Sequence, residues 1–334
     1  MNKLLVICGP TAAGKTVLAL TLAKKLARGP STSDPKGEII SADSRQIYRG
    51  MDIGTGKDLP VNIKYQISNI KSDHQKIIFY EMQGVKIWGY DLVEPTQEFS
   101  VSQYSKIAKR IIKNIQKRGK LPILVGGTGF YIKALVDGIE TINIPQNSVI
   151  RNSLANKTSN ELFEILANLD PIKAACLNMS DKKNPRRLVR AIEVATARVK
   201  ERESKRVKEK RLNSDCMFIG LSAPREDLYK RIDQRVEERV RAGIEDEIIK
   251  LLKKGLTWKS QSMTALGYRE WNGRDRKTAI DQWKKDEHGY ARRQITWFKK
   301  DKRINWFNIT QKDYQKRVEL LVEKWYYGSG AEKN

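Results

Sequence analysis

The first 140 residues alternate short, unbroken apolar runs with longer stretches whose apolar residues recur every three or four positions. "KLLVIC" has the length of a buried strand, and "TVLALTLAKKLA" behind it carries one apolar face at helical spacing. "GEIISAD" is a second short apolar run that ends at Asp43. "SVSQYSKIAKRIIKNIQKRG" predicts an amphipathic helix started by Ser100 or Ser102 and closed by Gly119. "KLPILVGGTGFYIKALVDG" predicts a strand, a glycine turn and a helix. Alternation of this kind points to an α/β fold with a parallel sheet. Residues 56–90 are irregular, except that "KIIFYEMQGVKIWGY" alternates as a hairpin does.

From about residue 143 the pattern changes. Residues 150–206 predict helices joined by polar loops, with no strand. "CMFIGLSA" (216–223) returns to a strand, 225–254 predicts a long helical stretch, "HGYARRQITWFKK" a basic helix and "INWFNI" a last strand. The organisation expected is a core of residues 1–142 and 207–334, with C-terminal helices, interrupted by a helical insertion over 143–206. The densely charged run 198–211 reads as a solvated helix or linker.

Composition narrows the classes. At 334 residues and 40% hydrophobic the chain buries a sizeable core, and no run approaches the roughly 20 apolar residues of a membrane helix. The N-terminal apolar run lacks the long central segment of a secretion signal. Cys8, Cys176 and Cys216 are widely spaced, with no metal or disulfide pattern, so a cytoplasmic location is expected. Charge is the strongest global signal: 64 Lys and Arg against 39 Asp and Glu, a net +25. Such an excess attracts polyanions, nucleic acid among them; the competing explanation is a lysine-rich surface with no focused footprint.

The chemistry begins at residues 9–16. Gly9, Pro10, Thr11, Ala12, Ala13, Gly14, Lys15 and Thr16 match GxxxxGK(S/T) between a strand and a helix. Backbone N–H groups of such a loop point at phosphate oxygens, and the helix N-terminus adds partial positive charge. Lys15 supplies a cation and Thr16 a ligand for Mg²⁺. The sheet is therefore expected to be P-loop NTPase-like, with an inserted helical subdomain. The motif says nothing of the reaction. "PILVGGTG" carries no acid where a P-loop ATPase places its second magnesium ligand, and the acid at a strand end is Asp43. Spacing leaves two roles open for it: an indirect Mg²⁺ ligand, or a general base beside the loop.

"GPTAAGKT", "SADSRQIYRGMDIGTGK", "VGGTGFYIKALVDG", "NPRRLVRAIEV", "LYKRIDQRV", "ALGYRE" and "YARRQITWF" occur in this order. Together, from about residue 4 to 307, they resemble the tRNA dimethylallyltransferase (IPP transferase) family. The P-loop is shared widely; "DSxQIYxGMDIGT" is nearly diagnostic. The resemblance implies transfer of a dimethylallyl group from dimethylallyl diphosphate to N6 of adenosine 37 in the tRNA anticodon loop. It makes the diphosphate a leaving group held by the P-loop, Arg235 and Mg²⁺. It assigns Asp43 as the base, with Lys15 and Thr128 as further catalytic residues. It places Asp43, Ser44, Arg45, Gln46 and Thr128 against the flipped base. It places Arg151, Arg186, Arg187, Leu188, Val189 and Arg190, then Thr264, Ala265, Leu266, Gly267, Tyr268 and Arg269, then Arg292, Arg293, Gln294 and Trp297, against the anticodon arm. A monomer with no membrane partner is expected.

The chain departs from the family pattern where "GTGKDLP" and a longer segment replace "GTAKP" and the histidines of "HHLID"; Asp91 and Leu92 keep the end of that motif. No Cys/His finger follows the core. Three rivals stand beside the family reading: an adenylate isopentenyltransferase acting on free nucleotide, a P-loop small-molecule kinase, and a non-catalytic RNA-binding ATPase. The helical insertion and the net charge favour a polynucleotide acceptor over the first, and the missing second acid disfavours the last.

Overall fold

A computed structural model describes residues 2–26, 36–60, 62–72, 75–201, 212 and 214–328. The chain forms two compact units, Met1–Val136 with Leu212–Asn334, and Asp137–Arg211. In chain order the first unit begins with β1 (Lys3–Cys8), α1 (Lys15–Lys25), β2 (Gly37–Ser41), β3 (Tyr65–Ser72), β4 (Gln75–Met82), β5 (Val85–Trp88), α2 (Val101–Lys117), β6 (Leu121–Gly126) and α3 (Gly129–Val136). The second unit contains α4 (Ser148–Leu154), α5 (Ser159–Leu169), α6 (Pro171–Ala175), α7 (Met179–Lys182) and α8 (Pro185–Glu201). The chain then returns to the first unit with β7 (Asp215–Ser222), α9 (Arg225–Arg241), α10 (Ile244–Lys253), α11 (Arg276–Phe298), β8 (Ile304–Asn308) and α12 (Tyr314–Tyr327).

The sheet has the order β3-β4-β5-β2-β6-β1-β7-β8. From β5 to β8 all pairings are parallel, and β4 and β3 extend that sheet antiparallel. The central parallel strands β1, β2 and β6 are buried on both faces, which is why they read as short, mostly apolar runs. Along β1, Leu4, Val6 and Cys8 face one core, with Ile111, Ile112 and Leu135; Leu5 and Ile7 face the other, with Leu18, Leu22, Val318 and Val322. α2 starts where expected: Ser100 accepts from the Gln103 N–H and Gln103 returns a bond, a reciprocal cap. Gly119, at φ 72, ends the turn that follows it.

Three expectations change in detail. The irregular segment holds not only the β4–β5 hairpin, turned at Gln83 and Gly84 with φ 54 and 80, but also a further strand, β3, at the sheet edge. The helical stretch at 225–254 breaks at Gly243, whose φ of 92 suits glycine. β2 ends at Ser41, so Asp43 lies in the loop past the strand end. Residues 202–211 of the charged run lie outside the described residues. No helix among the described residues is long and apolar enough to cross a membrane.

The helical unit packs around Leu154, Leu162, Leu166, Leu188 and Ile192. Its charge centre is Glu193, which is buried. The Arg151 guanidinium donates to both Glu193 oxygens, at 2.8 and 3.2 Å, and Arg190 donates to Glu193 at 3.1 Å. Arg190 also donates to the carbonyls of Thr141 and Ile144 at 2.9 and 2.8 Å.

Candidate active site

A cavity of about 520 Å³ opens in the first unit at the C-terminal ends of β1, β2 and β6, where ligands of open α/β sheets bind. The P-loop forms one wall. Gly9 sits at φ +139, and a Cβ there would lie 2.5 Å from the Leu221 carbonyl oxygen, so only glycine lets the loop leave β1 against β7. Gly14, left-handed at φ 78, turns the chain into α1. Lys15 and Thr16 then face the cavity from the first turn. The Lys15 ammonium donates to the Pro10 carbonyl at 2.6 Å. Burial and the neighbouring Arg235 push its pKa down to about 8, against an opposing pull from Asp43.

α9 supplies three arginines at adjacent turns. Arg231 donates to the Ala12 carbonyl at 2.9 Å, Arg239 reaches the Gly54 carbonyl at 3.4 Å, and Arg235 pairs with Asp58. Gly56 makes room for two of them: a Cβ there would meet Arg239 at 1.9 Å and Arg235 at 2.7 Å. Burial and Arg235 pull the pKa of Arg239 down, and Glu287 across the cavity opposes this with an ion pair at 3.4 Å.

The cavity has three carboxylates among its lining residues. Glu287 is committed to Arg239 and Asp58 to Arg235. Asp43 instead accepts from the Arg45 N–H at 2.8 Å and has no ion pair among the described residues. Four tyrosines, Tyr90, Tyr104, Tyr131 and Tyr290, lie close enough to feel its charge. Burial, helped by Asp43, drives every one of their hydroxyls above its ordinary pKa. They stay neutral near neutral pH.

The loop at 51–58 is pinned from two sides. The buried Glu247 accepts from the N–H groups of Asp52, Ile53 and Gly54, at 2.9, 2.9 and 3.1 Å, and from the Tyr268 hydroxyl at 2.5 Å. Lys57, fully buried, donates to the Tyr48 carbonyl at 2.8 Å and pairs with Asp52 and Asp91, and Tyr80 on β4 donates to the same Asp91. Gln294 on α11 ties a second seam: it accepts from the Thr11 N–H at 2.8 Å and donates to the Gly127 carbonyl at 3.0 Å.

A family model for IPP transferases matches residues 46–301. The chain is 36% identical over 328 residues to the tRNA dimethylallyltransferase of Anoxybacillus flavithermus, covering 96% of this chain and 95% of that one. It is 38% identical over 319 residues to the Geobacillus kaustophilus enzyme of the same name, covering 92% and 91%. This chain belongs to the IPP transferase family. Among solved structures it resembles the tRNA isopentenylpyrophosphate transferase of Bacillus halodurans, with a TM-score of 0.64 at 32% identity over 97% of this chain and 96% of that one. A eukaryotic dimethylallyltransferase acting on tRNA shares the fold, with a TM-score of 0.75 at 22% identity over 98% of this chain and 80% of that one. The chain is thus an enzyme, a transferase.

In this IPP transferase, Thr11, Ala12, Gly14, Lys15, Thr16, Asp43, Ser44, Arg45, Gln46, Arg235, Thr264, Ala265, Leu266, Arg269, Arg293 and Gln294 line one cavity. Thr128 joins them indirectly, accepting from the Ser44 N–H at 3.2 Å. Arg186 and Arg187 are exposed on the helical unit, and Arg292 and Trp297 on α11. Trp297 lies over Gly129, where a Cβ would meet its ring at 2.1 Å. Other residues expected at the RNA lie deeper: the side chains of Leu188 and Tyr268 are wholly inside the fold, and those of Ala265 and Gln294 nearly so. The guanidiniums of Arg151 and Arg190 are spent on Glu193 and on carbonyls of their own unit. Gln46 has both ends of its amide engaged, by the Ser41 hydroxyl at 2.7 Å and the Gly56 carbonyl at 2.9 Å. Sequence reading missed Arg231, Arg239, Glu247, Glu287 and Tyr290. For Arg231 and Arg239 the one available signal is their spacing on α9, which puts Arg231, Arg235 and Arg239, each four apart, on a single face; Glu247 on α10 and Glu287 and Tyr290 on α11 carry no such mark.

Proposed function

We propose that this enzyme transfers a dimethylallyl group from dimethylallyl diphosphate to N6 of adenosine 37 in the tRNA anticodon loop, releasing diphosphate. The observation that carries the reading is that Asp43, which has no ion pair among the described residues, lines the same cavity as Lys15, Thr16 and Arg235. The P-loop amides, Lys15 and Arg235 hold the diphosphate. As the C–O bond of the donor breaks, they stabilise the charge that grows on the leaving oxygen. The allylic carbon becomes cationic and bonds to N6. Asp43, oriented by the Arg45 N–H, takes the proton that N6 loses. Adenine must leave the loop stack to enter, at a cost of a few kcal/mol that is least in an unpaired loop.

Mg²⁺ fits this donor set. Among the described residues no cluster of three acidic, His or Cys side chains is present, but magnesium bound to phosphates keeps its waters and needs few protein ligands. The Thr16 hydroxyl is the ligand the loop offers, and the ion would neutralise charge on the departing diphosphate. On the helical unit the exposed Arg186 and Arg187 suit phosphate contact with tRNA, and on α11 the exposed Arg292, Arg293 and Trp297 suit phosphate contact and base stacking; a monomer is expected. The test offers labelled dimethylallyl diphosphate with either tRNA or AMP. Label in tRNA alone supports the reading, and label in AMP contradicts it.

A further inference from the structure

Two arginines on α9 face the cavity with carboxylate partners, and the partners differ. Arg239 and Glu287 are buried, with side chains 10% and 8% exposed. Arg235 is 26% exposed and Asp58 57%, so their pair is solvated and weak. Asp58 is nonetheless held in place. It follows Lys57, which is locked by Tyr48, Asp52 and Asp91, and it adopts a left-handed φ of 52. Arg235 also touches the Gly56 carbonyl at 3.4 Å. It further lines a second cavity of about 420 Å³ with Asp58, Leu59 and Ile63. Its guanidinium therefore faces the P-loop cavity while paired to a fixed acid at the edge of the same cavity.

We propose that Asp58 is an internal counter-anion of Arg235 that the diphosphate must displace, so that it loosens donor binding and eases release of the diphosphate product. This rests on the reading of Arg235 as a diphosphate contact. A buried partner could not serve, since parting it from its arginine leaves an unpaired charge out of water. A solvated carboxylate on a rigid stem can, because water replaces the arginine when it turns away. While the pair is intact, the arginine does not sit uncompensated beside Lys15, whose own charge it already disfavours.

The test titrates inorganic diphosphate with Mg²⁺ into the wild type, Asp58→Asn, Arg235→Gln and the double variant by calorimetry. Asp58→Asn should bind diphosphate about two- to fivefold tighter, the scale of a lost solvated ion pair. The donor KM should fall in parallel and kcat should not rise. In the Arg235→Gln background the gain should vanish. Equal or weaker binding by Asp58→Asn, with unchanged thermal unfolding, overturns the proposal and makes Asp58 a mere prop for the arginine. A gain that survives Arg235→Gln overturns it also. No binding by the wild type sinks the reading of the cavity itself, a failure distinguishable from the other two.

Discussion

Glu247 is the perturbation whose consequences can be worked furthest. Its Oε2 accepts from the Asp52 and Ile53 N–H groups, and its Oε1 from the Gly54 N–H and the Tyr268 hydroxyl. In Glu247→Gln the amide oxygen can keep the pair of N–H bonds, and its NH₂ then faces Gly54 and Tyr268. The tyrosine hydroxyl can rotate to accept, but the Gly54 N–H cannot, so one buried donor is orphaned at about 1–3 kcal/mol. Glu247→Ala strips all four groups of their partner and leaves a cavity. Since such terms do not add fully, the loss should be about 3–5 kcal/mol. At roughly 2–4 °C per kcal/mol for a unit of this size, that is a melting shift of about 6–20 °C for Ala and about 2–12 °C for Gln. The same loop carries the Gly54 and Gly56 carbonyls that hold Arg239 and Arg235. The donor KM should therefore rise in the order wild type, Gln, Ala. Thermal unfolding and steady-state kinetics on all three proteins read both effects. Equal melting points for Gln and Ala, or stability lost with the donor KM unmoved, would refute the anchoring role.

Lys15, pushed down to about 8, should lose its charge in the free enzyme as pH rises past that value. A bound diphosphate raises its pKa again. Diphosphate affinity should then fall by up to about tenfold per pH unit above pH 8, and Lys15→Arg, which does not titrate there, should flatten the profile; a profile unaltered by that substitution contradicts the assignment. Asp43→Asn should lower kcat about 10²–10⁴-fold while diphosphate affinity is kept; normal turnover would remove Asp43 from the role of base. Arg187→Glu on the helical unit should weaken tRNA binding and reduce the slope of log affinity against log salt by roughly 0.7–0.9. The same reversal at Lys250, exposed on α10, should do neither, and equal effects would mean that the net +25 is merely compositional.

What was legible in the chain was local. β1, the P-loop and α1 are specified within 25 residues by one apolar run, two glycines and a helical face, and Asp43 stands just past a run of the same kind. What escaped depends on partners far apart. Glu247 meets its loop across about 193 positions and Gln294 reaches Thr11 across 283. On sequence Gln294 shares a basic helix with Arg292 and Arg293, and nothing marks it as a polar residue turned inward. Arg151 meets the buried Glu193 across 42 positions, and on sequence Glu193 is a helical acid like many others. β3 was missed because "YQISNIKS" sits at a sheet edge, with Tyr65 and Ile67 exposed and little burial to impose a pattern.

The central claim is that one cavity joins a diphosphate leaving group to a proton-accepting carboxylate. Its most direct test is mass spectrometry of nucleosides from unmodified tRNA incubated with the enzyme, Mg²⁺ and dimethylallyl diphosphate, in parallel with Asp43→Asn. The account predicts one dimethylated allyl adduct, on adenosine at position 37, formed by the wild type and slowed at least a hundredfold, on the order of the lower limit for loss of a positioned base, in the variant. Transfer to another nucleoside, or equal rates in the two proteins, would contradict it.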